Sequence, residues 1–202
     1  MRAGRKIRGQ VTKLKPYMSE RYKAFDPDAP YFITFTLVEW IQLFDIHQFA
    51  TIVVDSLKFC VQNKGLLIYG YCIMPSHVHL IVQSPKNPLG SIIRDFKKYT
   101  AYEIVKTMEE SEKYQEQLQV FQQKATETKR NLFVKVWLNG YHPEIIYSNR
   151  FFFQKLNYIH NNPVAAGFVS RPEEYFYCSA RNYAGLDAPL EIIFESLELK
   201  SW

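Results

Sequence analysis

The sequence is poor in the features that organise secreted, metal-ribbon or membrane-spanning proteins. It has 3 cysteines (Cys60, Cys72 and Cys178), an odd number at wide spacing with no CxxC pair. A disulfide framework and a zinc ribbon are therefore excluded as main organisers. No apolar run approaches the roughly 18 residues that a bilayer span requires. The longest such run, residues 66–74, contains Gly70. The N-terminus is basic but has no apolar stretch followed by a small-residue cleavage site, so a secretory signal is not expected. No internal repeat is present. What remains is a chain of 202 residues, 47% hydrophobic and 16% aromatic, enough to bury the core of one domain. A charged fraction of 22% argues against wholesale disorder. The expectation is a soluble, cytoplasmic protein with no membrane partner.

Charge is unevenly spread. The net charge is +5, yet residues 1–23 carry eight Lys and Arg (among them Arg5, Lys6 and Arg8) against the single acid Glu20. The remainder, with 17 basic and 19 acidic residues, is nearly neutral. A basic arm on such a body suits a polyanion, since each phosphate contact releases counterions. It equally suits a solvated tail.

The chain is read as a basic arm (1–30), a central domain (31–170) that carries the motifs described below, and a C-terminal extension (171–202). Residues 31–37 (YFITFTL) alternate as a strand does. Asp45 is a candidate cap for a helix reaching about Asn63, and Gly65 is placed to end it. Residues 66–73 and 77–83 read as an antiparallel pair joined at Met74-Pro75-Ser76. Pro88 opens a second helix, with Arg94, Lys97 and Lys98 largely off its apolar face and Tyr99 and Tyr102 interleaved. The Glu/Gln-rich stretch 109–131 reads as a solvated helical insertion. Residues 134–137 and 144–147 are short strand candidates. A strongly apolar helix begins at Phe151 and is expected to stop near His160, before Asn161-Asn162-Pro163. The order β-α-β-β-α-β fits an α+β fold: a ferredoxin-like or RRM-like antiparallel sheet with helices packed on it. That architecture serves many purposes, so function has to be read from a site.

Two segments carry chemistry. In His77-Val78-His79 the alternation of a strand projects both imidazoles from one face, with Val78, Leu80 and Val82 on the other. The pair can hold one divalent metal, or can be two half-exposed sheet residues with ordinary hydrogen bonds. In the second segment Tyr158 and Asn162 are four residues apart, which brings them to one side of a helix. A tyrosine beside Phe151, Phe152 and Phe153 is ordinarily a core residue, and Asn162 precedes a proline that disfavours helical geometry.

Together the segments say more than either alone. YCIMPSHVHLIV (71–82) resembles the HUH motif of the single-tyrosine transposases, and LNYIHNNPVAAGFV (156–169) is similar to the nucleophile segment of their REP-associated branch. The resemblance covers roughly residues 30–170. It implies a metal-dependent single-strand DNA nuclease and strand transferase acting on single-stranded or hairpin DNA, nucleoid-associated, as a monomer or homodimer. It implies Mg²⁺ or Mn²⁺ at His77 and His79, with Asn162 as a further ligand, and Tyr158 as the nucleophile that forms a 5′-phosphotyrosine. A phenol is a weak nucleophile at neutral pH unless it is deprotonated or steered by positive charge, and Lys155, one turn earlier, is a candidate for that. Ser76 departs from the asparagine often found just before the first family histidine. The arm (Arg5, Lys6, Arg8) and Arg94, Lys97 and Lys98 are candidate DNA contacts, as basic residues with interleaved aromatics suit single strands.

Two rivals remain at this level. A non-catalytic module with an RRM-like fold would bind single-stranded nucleic acid, although the strand 77–83 offers histidines where stacking rings would be wanted. A metal-dependent hydrolase of small phosphoesters would use water and make no special use of Tyr158.

Overall fold

The computed structural model describes residues 26–127 and 133–194. Four strands form one antiparallel sheet: β1 (Tyr31–Thr36), β2 (Leu67–Met74), β3 (His77–Gln83) and β4 (Glu144–Ile145), in the order β2-β3-β1-β4. This is the strand order of a split β-α-β fold, as the element sequence predicts. Helices α1 (His47–Lys64) and α2 (Leu89–Glu109) cover one face. Helix α4 (Asn149–Ala165) lies across the other. Two smaller helices, α3 (Gln115–Thr126) and α5 (Ala180–Tyr183), complete the described chain. No helix among the described residues is long and apolar enough to cross a membrane.

Strand alternation sorts the core into two layers. Ile33 and Phe35 of β1 and Val78, Leu80 and Val82 of β3 face α1 and α2, joining Phe49, Val53, Leu57, Ile92, Ile93 and Phe96. Phe32 and Ile81 point the other way, toward Phe152, Leu156 and Ile159 of α4. The second layer rests on a close approach. At the irregularity between Ile68 and Gly70 in β2, a Cβ on Gly70 would stand 2.7 Å from Leu156 Cδ1. A glycine there lets α4 settle on the sheet.

Several local expectations shift. Ile46, not Asp45, precedes the first turn of α1, with no side-chain cap. Gly65 ends that helix in the left-handed region (φ 68°), donating its N–H to the Cys60 carbonyl. Pro88 stands just before α2 rather than inside its first turn. Of residues 134–137, only Trp137 reaches a strand-like bridge, with Leu37. The Glu/Gln-rich stretch is helical, but it is more than a solvated extension: Tyr114, Leu118 and Phe121 are buried in the main core, with Tyr114 edge-on to Phe49 at 5.0 Å. The C-terminal stretch runs beside β2. Ile73 N–H donates to the Tyr177 carbonyl and Ser179 N–H to the Tyr71 carbonyl, each at 2.9 Å, so that the backbones of Cys72 and Cys178, both free thiols, pair as in an antiparallel sheet.

Candidate active site

The register of β3 sets the first half of the site. His77 lies between Thr36 and Met74, and His79 between Thr34 and Cys72, both on the face that α4 covers. The two rings are 4.7 Å apart, edge to face. Each is held through Nδ1: His79 by the Thr34 hydroxyl at 2.9 Å, His77 by the Ser76 hydroxyl at 3.1 Å. Phe32 stacks on the His79 ring at 5.6 Å. Burial pushes the His79 imidazole down to about 3, and charge on His77 and Lys155 adds to this. His77 is lowered as well, by burial. Both rings are thus neutral near pH 7, with lone pairs to offer.

His79 is only 4% exposed, and its Nε2 is buried without a hydrogen-bond partner. A buried polar atom left unpaired costs about 1–3 kcal/mol, so it calls for a ligand. Hydroxyls on the Nδ1 atoms resemble the outer partners that orient metal-binding histidines. The orphaned nitrogen therefore fits a divalent metal. Among the described residues there is no cluster of three or more His, Cys, Asp or Glu, so the set is two imidazoles plus whatever amide or phosphate oxygen joins them.

Helix α4 supplies the second half. Ser148 caps it, its hydroxyl accepting from the Phe151 N–H at 3.2 Å. Phe152, Leu156, Ile159 and Pro163 form the buried stripe, and Tyr158 lies off it. Tyr158 is 51% exposed, so it is not a core residue. Its ring meets His79 at 5.3 Å and Phe32 at 5.9 Å. The helix does not stop near His160. It runs through Pro163 to Ala165. A proline at this point removes one N–H from the ladder, and Pro163 is itself buried in the stripe. The Asn162 carbonyl still accepts from Ala166 N–H at 3.0 Å. Asn162 is consequently helical, one turn beyond Tyr158, and its Nδ2 donates to the Tyr158 carbonyl at 3.2 Å. Its Oδ1 is the remaining oxygen donor.

Lys155 stands beside this group. Its ammonium pairs with Glu144 of β4 at 2.8 Å and lies 4.4 Å from the centre of the Phe32 ring. Its charge is partly answered by Glu144, but it is near enough to depress His79.

His77, His79, Tyr158 and Lys155 thus converge, with Asn162 on the same helix. The α2 residues do not join them, because the sheet lies between. Lys97 donates to the carbonyls of Leu138 and Gly140 at 2.6 and 2.8 Å, and burial pulls its ammonium down to about 8. Arg94 pairs with its neighbour Asp95, while Lys98 is exposed. Arg5, Lys6 and Arg8 lie outside the described residues.

Three neighbours escaped the sequence reading. Thr34 and Phe32 become visible only once β1 is paired with β3 in register. Trp40 gives no periodic signal at all. It is 60% exposed, with its ring edge-on to His77 at 5.5 Å. Trp40 and the preceding Glu39 both have φ of 53°, an uncommon state for residues with a Cβ.

The profile of the IS200-like transposases matches residues 41–124, a segment that includes both histidines. That segment of the chain is similar to the IS200-like transposases. Among solved structures, the REP-associated tyrosine transposase bound to a REP hairpin shares its fold, with a TM-score of 0.58 and 16% identity over 94% of this chain and 98% of that one. A candidate transposase of Deinococcus radiodurans R1 is 18% identical over 78% of this chain and 97% of its own, with a TM-score of 0.40. No protein with a curated description matches. Tyr158 lies beyond the matched segment, so its meeting with His79 is a property of the fold and not of the family profile.

Proposed function

We propose that this protein is a transposase: a metal-dependent single-strand DNA endonuclease and strand transferase acting on hairpin-associated DNA, with Tyr158 as its nucleophile. The observation that carries the reading is the half-exposed Tyr158 ring, 5.3 Å from the ring of His79, whose buried Nε2 has no partner. His77 and His79 would hold Mg²⁺ or Mn²⁺, with Asn162 Oδ1 as a further hard donor. When bound there, the metal supplies Lewis-acid polarisation of the scissile phosphate.

The chain's own residues account for the rest. Tyr158 Oη gives up its proton and attacks phosphorus. The bond from phosphorus to the 3′-oxygen breaks, the 3′-oxygen leaves as a hydroxyl on taking up a proton, and the 5′-phosphate stays on Tyr158. Attack by a 3′-hydroxyl on that ester reverses the step and joins strands, so no nucleotide cofactor is required. Lys155 offers positive charge beside the developing phenolate, moderated by Glu144. Thr34 and Ser76 keep the imidazoles oriented. Tyr158 meets His79 of its own polypeptide, which favours a site complete in one monomer.

The hairpin substrate is supported by the likeness to a transposase solved with a REP hairpin. The basic arm with Arg5, Lys6 and Arg8, and the exposed Lys98, would add sequence-independent phosphate contacts. The test mixes the protein and Mn²⁺ with a single-stranded hairpin oligonucleotide from the DNA flanking the gene, and resolves the products on a denaturing gel. An SDS-resistant adduct is expected, absent from Tyr158→Phe and from the His77→Ala/His79→Ala double variant. An adduct that persists in Tyr158→Phe would move the role to another tyrosine. Tight binding with no adduct would leave a non-catalytic DNA-binding module.

A further inference from the structure

We propose that Trp40 is a base-stacking platform, and that it takes the nucleotide on the 5′ side of the scissile phosphate. The inference rests on the reading of Tyr158 and the histidines given above. Its starting point is a row of rings. Tyr158 touches His79 at 5.3 Å, His79 touches His77 at 4.7 Å, and His77 touches Trp40 at 5.5 Å. The contacts thus lead from Tyr158 through the imidazole pair to Trp40, with Phe32 also against Tyr158 at 5.9 Å.

The indole is not placed by burial, since 60% of Trp40 faces solvent. The backbone beneath it is held instead. Val38 is buried and donates its N–H to the Val136 carbonyl at 2.9 Å, and Trp40 N–H donates to the Leu37 carbonyl at 3.2 Å. Glu39 is tied by a 2.8 Å ion pair to Lys124 of α3. These contacts keep two consecutive residues in the left-handed region, φ 53° at each. Strain maintained by its surroundings beside a reactive group is a mark of a functional position. What it achieves here is to stand a large flat ring in water beside His77.

The chemistry determines the occupant. An exposed indole beside a pair that would hold the metal on the scissile phosphate suits a nucleobase, because every base has a face to stack and the contact tolerates sequence. In-line displacement determines the side. For a phosphate held at the imidazole pair, with Tyr158 Oη entering from the His79 side, the 3′-oxygen would leave toward the His77 side, where Trp40 stands. That oxygen belongs to the nucleotide 5′ of the cut, so its base is the one within reach of the indole. The ion pair from Glu39 to Lys124 also gives the Glu/Gln-rich segment a part in the site: α3 braces the platform.

The test uses the full chain and a stem–loop oligodeoxynucleotide from the flanks of the gene, with abasic sites placed one at a time along its single-stranded tail. Binding is read by fluorescence anisotropy in a Tyr158→Phe background, and the cut is mapped separately from the adduct formed by the native protein. Trp40→Ala should weaken binding by about 5- to 150-fold, the range that one stacked base contributes. It should also abolish the penalty of a single abasic position, the one immediately 5′ of the adducted phosphate. Trp40→Tyr should retain most of the affinity, and an unchanged thermal melt of Trp40→Ala would show that the fold is intact. Abasic penalties that persist at every position in Trp40→Ala would overturn the proposal, as would a silenced position on the 3′ side. If the native protein forms no adduct, the reading of Tyr158 fails, whereas one silenced position would still uphold stacking at Trp40.

Discussion

The two faces of the sheet are made from the same strands and differ in kind. Under α1 and α2, the inward side chains of β1 and β3 are Ile33, Phe35, Val78, Leu80 and Val82, and every one is buried among other apolar groups. Under α4 the same strands present Phe32, Thr34, His77, His79 and Ile81. One face is closed, and burying its side chains stabilises the fold by the ordinary hydrophobic term. The other is only partly covered and keeps a hydroxyl, two imidazoles and a phenol within reach of one another. Burial on that side depresses histidine basicity instead of only excluding water. A single alternation of two residues thus separates what holds the protein together from what reacts.

Substitutions can break this contrast. The largest effect is expected from Tyr158→Phe, which should remove the covalent adduct altogether and leave the denaturant midpoint almost unmoved, since the phenol is half exposed. On the closed face the outcome should invert. Phe49 is fully buried, and Phe49→Ala should cost about 3–5 kcal/mol of stability by chemical denaturation. Whatever fraction remains folded should still form the adduct.

Between these extremes lies the seam between α4 and the sheet. Gly70→Ala introduces a Cβ 2.7 Å from Leu156 Cδ1, and overpacking of that kind costs about 1–3 kcal/mol. Because Leu156 is half a turn from Tyr158 on α4, adduct formation should slow by more than the stability loss explains. Thr34→Val keeps the strand and removes only the hydroxyl at His79 Nδ1. Losses of about 10- to 100-fold in metal affinity or activity are usual for such partners. A Mn²⁺ titration of adduct formation would measure it.

A pH dependence probes the reactive face without altering the closed one. His79 has a folded value of about 3 against the ordinary 6.5, so the unfolded chain binds the proton more readily than the folded one. Its contribution to stability is complete above pH 6.5 and is lost as pH falls toward 3, at up to about 1.4 kcal/mol per pH unit. With chelator present, His79→Gln should flatten the decline of stability between pH 6.5 and 4. An unaltered slope would mean that the acid sensitivity lies in other groups.

Much of this was legible in the chain itself. The period-two alternation of YFITFTL and HVHLIVQ determined which side chains share a face, because successive residues of a strand must point to opposite sides. It placed His77 and His79 together before any pairing was known, and Gly65 marked a helix end because it tolerates a positive φ. Local rules misjudged the end of α4. Pro163 reads as a stop, but its burial on the sheet outweighs one missing hydrogen bond, and this carries Asn162 onto the helix after Tyr158. Local rules also made Tyr158 a core residue and made the Glu/Gln-rich segment a solvated one. What only the tertiary structure decided was company: Thr34 behind His79, Glu144 on Lys155, Lys124 on Glu39, Tyr158 and Trp40 at the two ends of the histidine pair. All but the pair of Glu144 and Lys155 join residues far apart in the chain. Periodicity reports which way a side chain points, but only packing decides what it meets there.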